Sequence, residues 1–186
     1  VRHEDVDCVV LAAGGSVRMG RWKPVLPFRD STIVQTVVAA ALGACSRVVL
    51  VTGYRGAELA SLFRSDPRVL SVENAAWQQG MFSSIQAGVR HVRSRRFFVT
   101  LGDMPWITVA VYRALFRQDE ADVVFPSHDG VRGHPVLFHE RVKEAIAAAD
   151  SRDGSMRAIA ESFHVDELAW PDDAILRDID TETDLH

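Results

Sequence analysis

The chain has 186 residues, 47% of them hydrophobic and 25% charged, with a net charge of −4 and a pI near 6.0. That length suits one domain over 1–186 with a sizeable core. The acidic balance excludes broad nucleic-acid binding, which needs a basic face, and no apolar run approaches the roughly 20 residues of a membrane helix. Any anionic ligand must therefore be held by a local cluster of cations. The start, "VRHEDVD", is acidic and polar and predicts no signal peptide. The only two cysteines, Cys8 and Cys45, read as buried or idle thiols, so the expected location is the reducing cytoplasm.

In chain order, "CVVLAA" (8–13) is a continuous apolar run and reads as a strand covered on both faces. "STIVQTVVAAALGA" (31–44) is a helix candidate, capped by Ser31 or Thr32 and stopped near Gly43. "RVVLVTG" (47–53) is a strand, "GAELASLFRS" (56–65) a helix and "VLSVEN" (69–74) a strand. "SSIQAGVRHVRS" (83–94), "FFVTLGD" (97–103), "VAVYRALFRQ" (109–118) and "DVVFP" (122–126) continue the alternation. In "HERVKEAIAAAD" (139–150), Val142, Ala145, Ile146 and Ala149 share one helical face, and Met156, Ile159, Ala160 and Phe163 repeat the pattern. Strand and helix in alternation predict a mostly parallel sheet with helices on both faces, and ligands then bind beyond the carboxyl ends of the strands.

The chemistry-bearing residues do follow strands. From Cys8 to Arg29 there is no Asp or Glu, yet Arg18, Arg21, Lys23 and Arg29 occur. Lys23 and Lys143 are the only lysines among 21 basic residues. Gly14 and Gly15 allow a sharp turn close to a ligand, and their N–H groups with that of Ser16 can form an anion-binding concavity. Solvated arginines around a glycine turn are the plainer alternative. The Walker pattern is absent, since Arg21 follows Gly20, and so is G-x-G-x-x-G, which argues against an NAD(P) oxidoreductase.

Four further stretches stand out. Asp103 in "LGDMP" is either a helix cap or an oxygen ligand for a hard cation, and Mg2+ often uses one or two carboxylates plus substrate phosphates. In "DIDTETDLH", Ile179 puts Asp178 and Asp180 on one side of an extended segment. In "QGMFSSIQAG", Gly80, Ser83 and Ser84 open a helix, as caps or as an anion site. His134 in "RGHPVLF" is the one histidine considered for a pocket; the other six read as structural.

"LAAGGSVRMGRWK" resembles the L-A-[AG]-G-x-S-x-R-M-G-x-x-K signature of the MobA/MocA-like nucleotidyltransferases. The resemblance implies a three-layer α/β/α Rossmann-like fold with a mostly parallel sheet. It also implies transfer of a nucleoside monophosphate from a triphosphate to a phosphorylated acceptor, with release of pyrophosphate. It assigns Arg18 and Lys23 to the nucleotide phosphates, and the backbone of Leu11, Ala12, Ala13, Gly14 and Gly15 to base and ribose. Asp103 matches the family's G-D-[MQ]-P acid, which holds Mg2+; the closing acidic run offers Asp180 as second ligand, with Asp178 its competitor. Here Glu182-Thr183-Asp184 replaces the family's P-E-D, a departure expected to affect the turn alone.

Family members that act with CTP on molybdopterin carry Q-G-M-x-x-S-[IL]-x-x-G and R-G-H-P runs similar to those here. This places Gly80, Ser83, Ser84, Gly133 and His134 at the acceptor. Ala13 points to CTP, because guanylyl-transferring relatives have glycine there. Arg157, in "GSMRAIAES", lies in a segment similar to the family's G-A-R-x-L-L, and Trp22, Trp77 and Phe82 are candidates for lining a flat pterin's pocket or for the core. A transient contact with a molybdoenzyme or its chaperone fits the same picture. A sugar-phosphate or alditol-phosphate acceptor, guanylyl transfer to molybdopterin, and an inactive nucleotide-binding regulatory domain are the alternatives. No nucleophilic triad is needed, since an ionised phosphate is already a nucleophile.

Overall fold

The longest apolar run becomes the middle of the sheet. In a computed structural model, which describes residues 4–15, 21–118, 120–150, 156–181 and 184, strand β1 (Glu4–Ala12) lies between β4 (Cys45–Thr52) and β6 (Arg96–Leu101), parallel to both. Strand β5 (Val69–Glu73) extends the sheet beyond β4. On the other side β9 (Val136–His139) pairs antiparallel with β6 and with β7 (Val123–His128), and β10 (Val165–Ala169) pairs parallel with β7. The path is therefore β5-β4-β1-β6-β9-β7-β10, with the short β8 (Val131–Arg132) folded back on β7. A separate two-stranded ribbon joins β2 (Pro27–Phe28) to β3 (Ser31–Thr32).

Alternation along β1 explains why the run has to be apolar throughout. Val6, Cys8, Val10 and Ala12 point into one core cluster. There they meet helices α1 (Ile33–Leu42), α2 (Gly56–Ser61) and α4 (Val109–Phe116) through Val34, Val37, Leu59, Tyr112 and Leu115. Val9, Leu11 and Ala13 point into a second cluster, shared with α3 (Met81–Val89), α5 (Glu140–Ala148) and α6 (Met156–Glu161). Both faces are covered from Val6 onward, so no position in that part of the strand can be polar without a buried partner. The result is the expected three-layer α/β/α arrangement. Helix α3 crosses the sheet closely at Gly88, where a Cβ would overlap the side chains of Val9 and Val51.

The first helix has the boundaries its sequence predicts: Thr32 is the cap, its hydroxyl accepting the Gln35 N–H, the helix begins at Ile33 and it stops at Gly43. Ser31 and Thr32 also form the short β3. Strands β9 and β10 have no counterpart among the sequence-predicted strands. β9 is a four-residue run directly after Pro135, and β10 reads "VDELA", an edge strand with two adjacent acids in its middle and no apolar run. Cys8 and Cys45 are free and fully buried, as thiols without a role predict.

The one charged side chain buried within β1 is Asp7, at 3% exposure. Arg47 of β4 grips both of its carboxylate oxygens, at 3.0 and 2.8 Å, and also donates to the His91 carbonyl at 2.7 Å. The Arg93 and Ser94 N–H groups donate to the same carboxylate, and the Asp7 N–H donates to the Ser94 hydroxyl. This clamp ties the amino-terminal ends of β1 and β4 to the turn after α3. Burial pushes the Asp7 carboxyl up, but the Arg47 guanidinium and the two amides outweigh it and hold the group below the usual carboxylate range. Its contribution to stability is therefore complete above the unfolded-state value of about 3.9 and is lost as pH falls through the folded-state value. Asp7→Ala takes the carboxylate from the partly buried Arg47 guanidinium and from the Arg93 and Ser94 N–H groups, and should cost about 3 kcal/mol in chemical denaturation at neutral pH. The gap from wild type should narrow below about pH 4, and a gap that stays constant with pH would refute the assignment.

Candidate nucleotide and metal site

The turns after β1, β4 and β6 are held side by side by backbone bonds that continue past the strands. Gly102 N–H donates to the Leu11 carbonyl at 2.8 Å, Tyr54 N–H to Ala13 at 3.0 Å and Asn74 N–H to Thr52 at 2.8 Å. Between these turns opens a cleft of about 530 Å³. Leu11, Ala12, Ala13 and Gly14 form its floor; Gly15 lies beside Tyr54 and Trp77 at its edge. Arg18 and Ser16 lie outside the described residues, as do Glu182 and Thr183.

Lys23 enters from a short 3-10 turn, Lys23–Val25, and its side chain is only 10% exposed. Its ammonium stands 2.7 Å from Asp180 and 3.7 Å from Asp103. Two segments 157 residues apart thus meet at one cation. Ile179 makes this possible. It is fully buried against Leu26, Phe28 and Ile33, and its N–H donates to the Asp103 carbonyl at 3.0 Å. With Ile179 anchored inward, Asp178 and Asp180 both reach the cleft wall, as the alternation requires. Asp180 is the member that pairs with Lys23. Asp184, not singled out in the sequence, fixes the turn by accepting from the Asp180 N–H and from the Thr181 N–H and hydroxyl.

Burial pushes the Asp103 carboxyl above the usual carboxylate range; Lys23 opposes this, while Asp178 and Asp180 reinforce it. The net effect on Asp103 is upward even with the Lys23 ammonium beside it. Among the described residues no group of three or more His, Cys, Asp or Glu is gathered closely enough to cage a metal unaided. An oxygen-only pair of carboxylates beside a phosphate-sized cleft is nevertheless what Mg2+ uses when substrate oxygens complete its shell.

A second cavity, of about 750 Å³, adjoins the first and shares Leu11, Met81 and Leu101 with it. Its walls are apolar, built from Val99, Phe125, Val136, Phe138 and Ile85, with Arg132, His134, Arg157 and Glu161 as the polar members. Burial pushes the His134 imidazole below its ordinary value, the Val99 carbonyl partly offsetting it. The ring is therefore neutral at pH 7, with a buried Nδ1 that has no partner among the described residues. His134 N–H donates to the Ile175 carbonyl, and Gly133 packs so closely on Ile175 that a Cβ would overlap that carbonyl. Gly133 thus supports the second cavity from behind, whereas His134 lines it.

The remaining predicted positions divide. Gly80, with φ at +104°, and Ser84 line the first cleft, while the Ser83 hydroxyl is turned away and donates to the Gly80 and Ala76 carbonyls. Of the three aromatic candidates, Trp77 lines the first cleft; Trp22 and Phe82 are buried in the two core clusters. Asn74, Pro24 and Gln78 were not legible as site residues, because single polar or proline residues in a loop carry no pattern.

A mostly parallel α/β/α sheet whose glycine turn, lysine and paired carboxylates meet beyond the strand ends defines a nucleotidyltransferase of Rossmann-like fold. More particularly, the chain belongs to the MobA-like NTP transferase domain family, whose model matches residues 8–167. It is 39% identical over 97% of its length to the molybdenum cofactor cytidylyltransferase of Escherichia coli, covering 93% of that protein. It is 30% identical to a probable molybdenum cofactor guanylyltransferase of Mycobacterium bovis, covering 96% of this chain and 90% of that one. A nucleotidyl transferase from Methanothermobacter shares the fold, with a TM-score of 0.82 at 20% identity over 97% of this chain and 94% of its own. Among the described residues no helix is long and apolar enough to cross a membrane.

The raised Asp103 carboxyl carries a sign that can be checked. A carboxyl harder to ionise in the fold than in the open chain costs stability at neutral pH, and that cost is relieved as pH falls through its raised value. Without divalent ions, Asp103→Asn should melt at or above the wild-type temperature at pH 7, with the difference shrinking in acid. A drop of several degrees would show Asp103 to be a structural support instead.

Proposed function

We propose that the chain acts as one domain, in the cytoplasm, to transfer a cytidylyl group from CTP to molybdopterin with release of pyrophosphate. The observation that carries this reading is the convergence of Lys23, Asp103 and Asp180 on one cleft beside the glycine turn. A terminal phosphate oxygen of the acceptor attacks the α-phosphorus, a new P–O bond forms, and the bond to the β-phosphate breaks. Lys23, with Arg18 of the same turn, binds the triphosphate and offsets charge on the α-phosphate and the departing pyrophosphate. Asp103 and Asp180 would hold Mg2+, with Asp178 at the rim. Bound there, the ion supplies charge neutralisation and orientation of phosphate oxygens. The cleft fixes the reactants in line, which removes the entropic cost of their meeting.

The acceptor assignment is supported by the second cavity. Sugar or alditol phosphates carry hydroxyls that need polar partners, whereas these walls are aromatic and aliphatic with few polar groups. A flat heterocycle fits such walls, and the neutral His134 imidazole offers it a hydrogen-bonding edge. Product then passes on in transient contact with a molybdoenzyme or its chaperone.

Pyrophosphate release with each of the four nucleoside triphosphates, Mg2+ and molybdopterin tests the reading, with sugar and alditol phosphates as competing acceptors. CTP with molybdopterin should be the productive pair, and omission of the divalent ion should abolish turnover. Tight nucleotide binding with no turnover would favour the regulatory-domain alternative. Lys23→Ala and Asp103→Ala should each lower kcat by about two orders of magnitude with the fold intact; near-normal rates would contradict the roles assigned.

The base preference has its own test. Ala13 is 6% exposed on the cleft floor, and its methyl narrows the room for a base. Ala13→Gly should raise the GTP-to-CTP ratio of kcat/KM at least several-fold. An unchanged ratio would move base selection elsewhere.

A further inference from the structure

We propose that Asn74 is a positioning residue that aims the Ser84 hydroxyl proton into the cleft, where it donates to a phosphate oxygen of the reacting pair. The proposal rests on the nucleotidyl-transfer reading above and adds a residue to it. Asn74 follows β5 and is 6% exposed. Its Oδ1 accepts the Ala76 N–H at 3.0 Å. A backbone N–H can only donate, so this bond fixes which end of the amide is which. The Nδ2 group must then face the two serines, and it donates to Ser83 at 2.9 Å and Ser84 at 3.0 Å. Both Nδ2 hydrogens and one Oδ1 lone pair of the side chain are thus used.

The two serines answer differently. Ser83 passes its own proton back to the Gly80 carbonyl at 2.8 Å, or to Ala76 at 3.1 Å, and so closes the 74–80 loop on itself. Ser84 receives the Asn74 N–H and, among the described residues, donates to nothing. It is 4% exposed and lines the cleft beside Gly80 and Met81. A hydroxyl whose lone pair is held by an N–H on one side directs its proton to the other. A buried donor without an acceptor is costly unless a ligand supplies one. Met81, three residues before Ser84 in α3, belongs to both cavities, so the hydroxyl stands on the side of the first cleft that adjoins the second. The bond it offers is charge-assisted and adds no charge of its own.

The test compares Ser84→Ala, Ser84→Thr, Asn74→Ala and the Asn74→Ala/Ser84→Ala pair in pyrophosphate release, with CTP affinity measured separately without acceptor. Ser84→Ala should lower kcat/KM about tenfold to a hundredfold, the range for a lost bond to a charged oxygen. Ser84→Thr keeps the hydroxyl and should retain most activity. Asn74→Ala should match Ser84→Ala, and the double variant should be no worse than either. Should Asn74→Ala not fold, Asn74→Asp keeps the shape and takes the Ser84 proton for itself, so it should be at least as impaired. Weaker CTP binding in Ser84→Ala locates the oxygen on the nucleotide; a raised KM for molybdopterin with CTP binding unchanged locates it on the acceptor. Normal kcat/KM in Ser84→Ala, or losses that multiply in the double variant, would overturn the proposal. If wild type rejects CTP with molybdopterin, that pairing falls and the same variants are compared on whichever pair of the panel turns over. A chain inert with every pair overturns both readings.

Discussion

The site depends on one electrostatic arrangement, a buried ammonium facing carboxylates from two distant segments. Lys23 arrives from the first turn, Asp103 from the end of β6 and Asp180 from the last described segment. No local interaction brings them together. The parallel pairing of β1 with β6 places the first turn beside the third, and buried Ile179 pins the closing segment to the Asp103 carbonyl. Apolar burial thus does the positioning, at about 1.5–3 kcal/mol for a side chain of that size, and charge gives the position its use. The ammonium meets Asp180 at 2.7 Å and Asp103 at 3.7 Å, and Asp103 stays harder to ionise than a free carboxyl.

Much of this was legible before any coordinates. The run from Cys8 to Ala13 had to be a central strand because it has no polar face to offer solvent. The acid-free stretch that follows had to meet an anion or water, and the alternation at Asp178, Ile179 and Asp180 required one inward apolar group with two acids on the other side. What stayed hidden follows from the same physics. β10 carries Asp166 and Glu167 in the middle of five residues, which an edge strand covered only in part tolerates, so it lacks the signature of the central strands. β9 is short and follows a proline. Asn74 carries no pattern because its meaning lies in three partners contributed by a loop and the start of the next helix.

Ser83 and Ser84 show the limit of motif reading most directly. The pattern places both at the start of α3 and treats them alike. The fold gives them separate tasks, since a helix turns about 100° per residue and only one can face the cleft. Ser83 spends its proton on the loop, and Ser84 keeps its own for the cavity. Adjacent identical residues can thus be divided between holding a wall and presenting a donor from it.

The two ends of β1 make the same distinction on a larger scale. At the amino end, Asp7 is surrounded by a bidentate guanidinium and two amide N–H groups, so its carboxyl is held down and its charge is fully answered. Beyond the carboxyl ends of β1 and β6, burial with Asp178 and Asp180 holds the Asp103 carboxyl up even with Lys23 beside it. The cluster at the base is closed off among protein groups and serves the fold. The Asp103 carboxyl costs stability at neutral pH and lines the cleft, where a cationic ligand would relieve that cost.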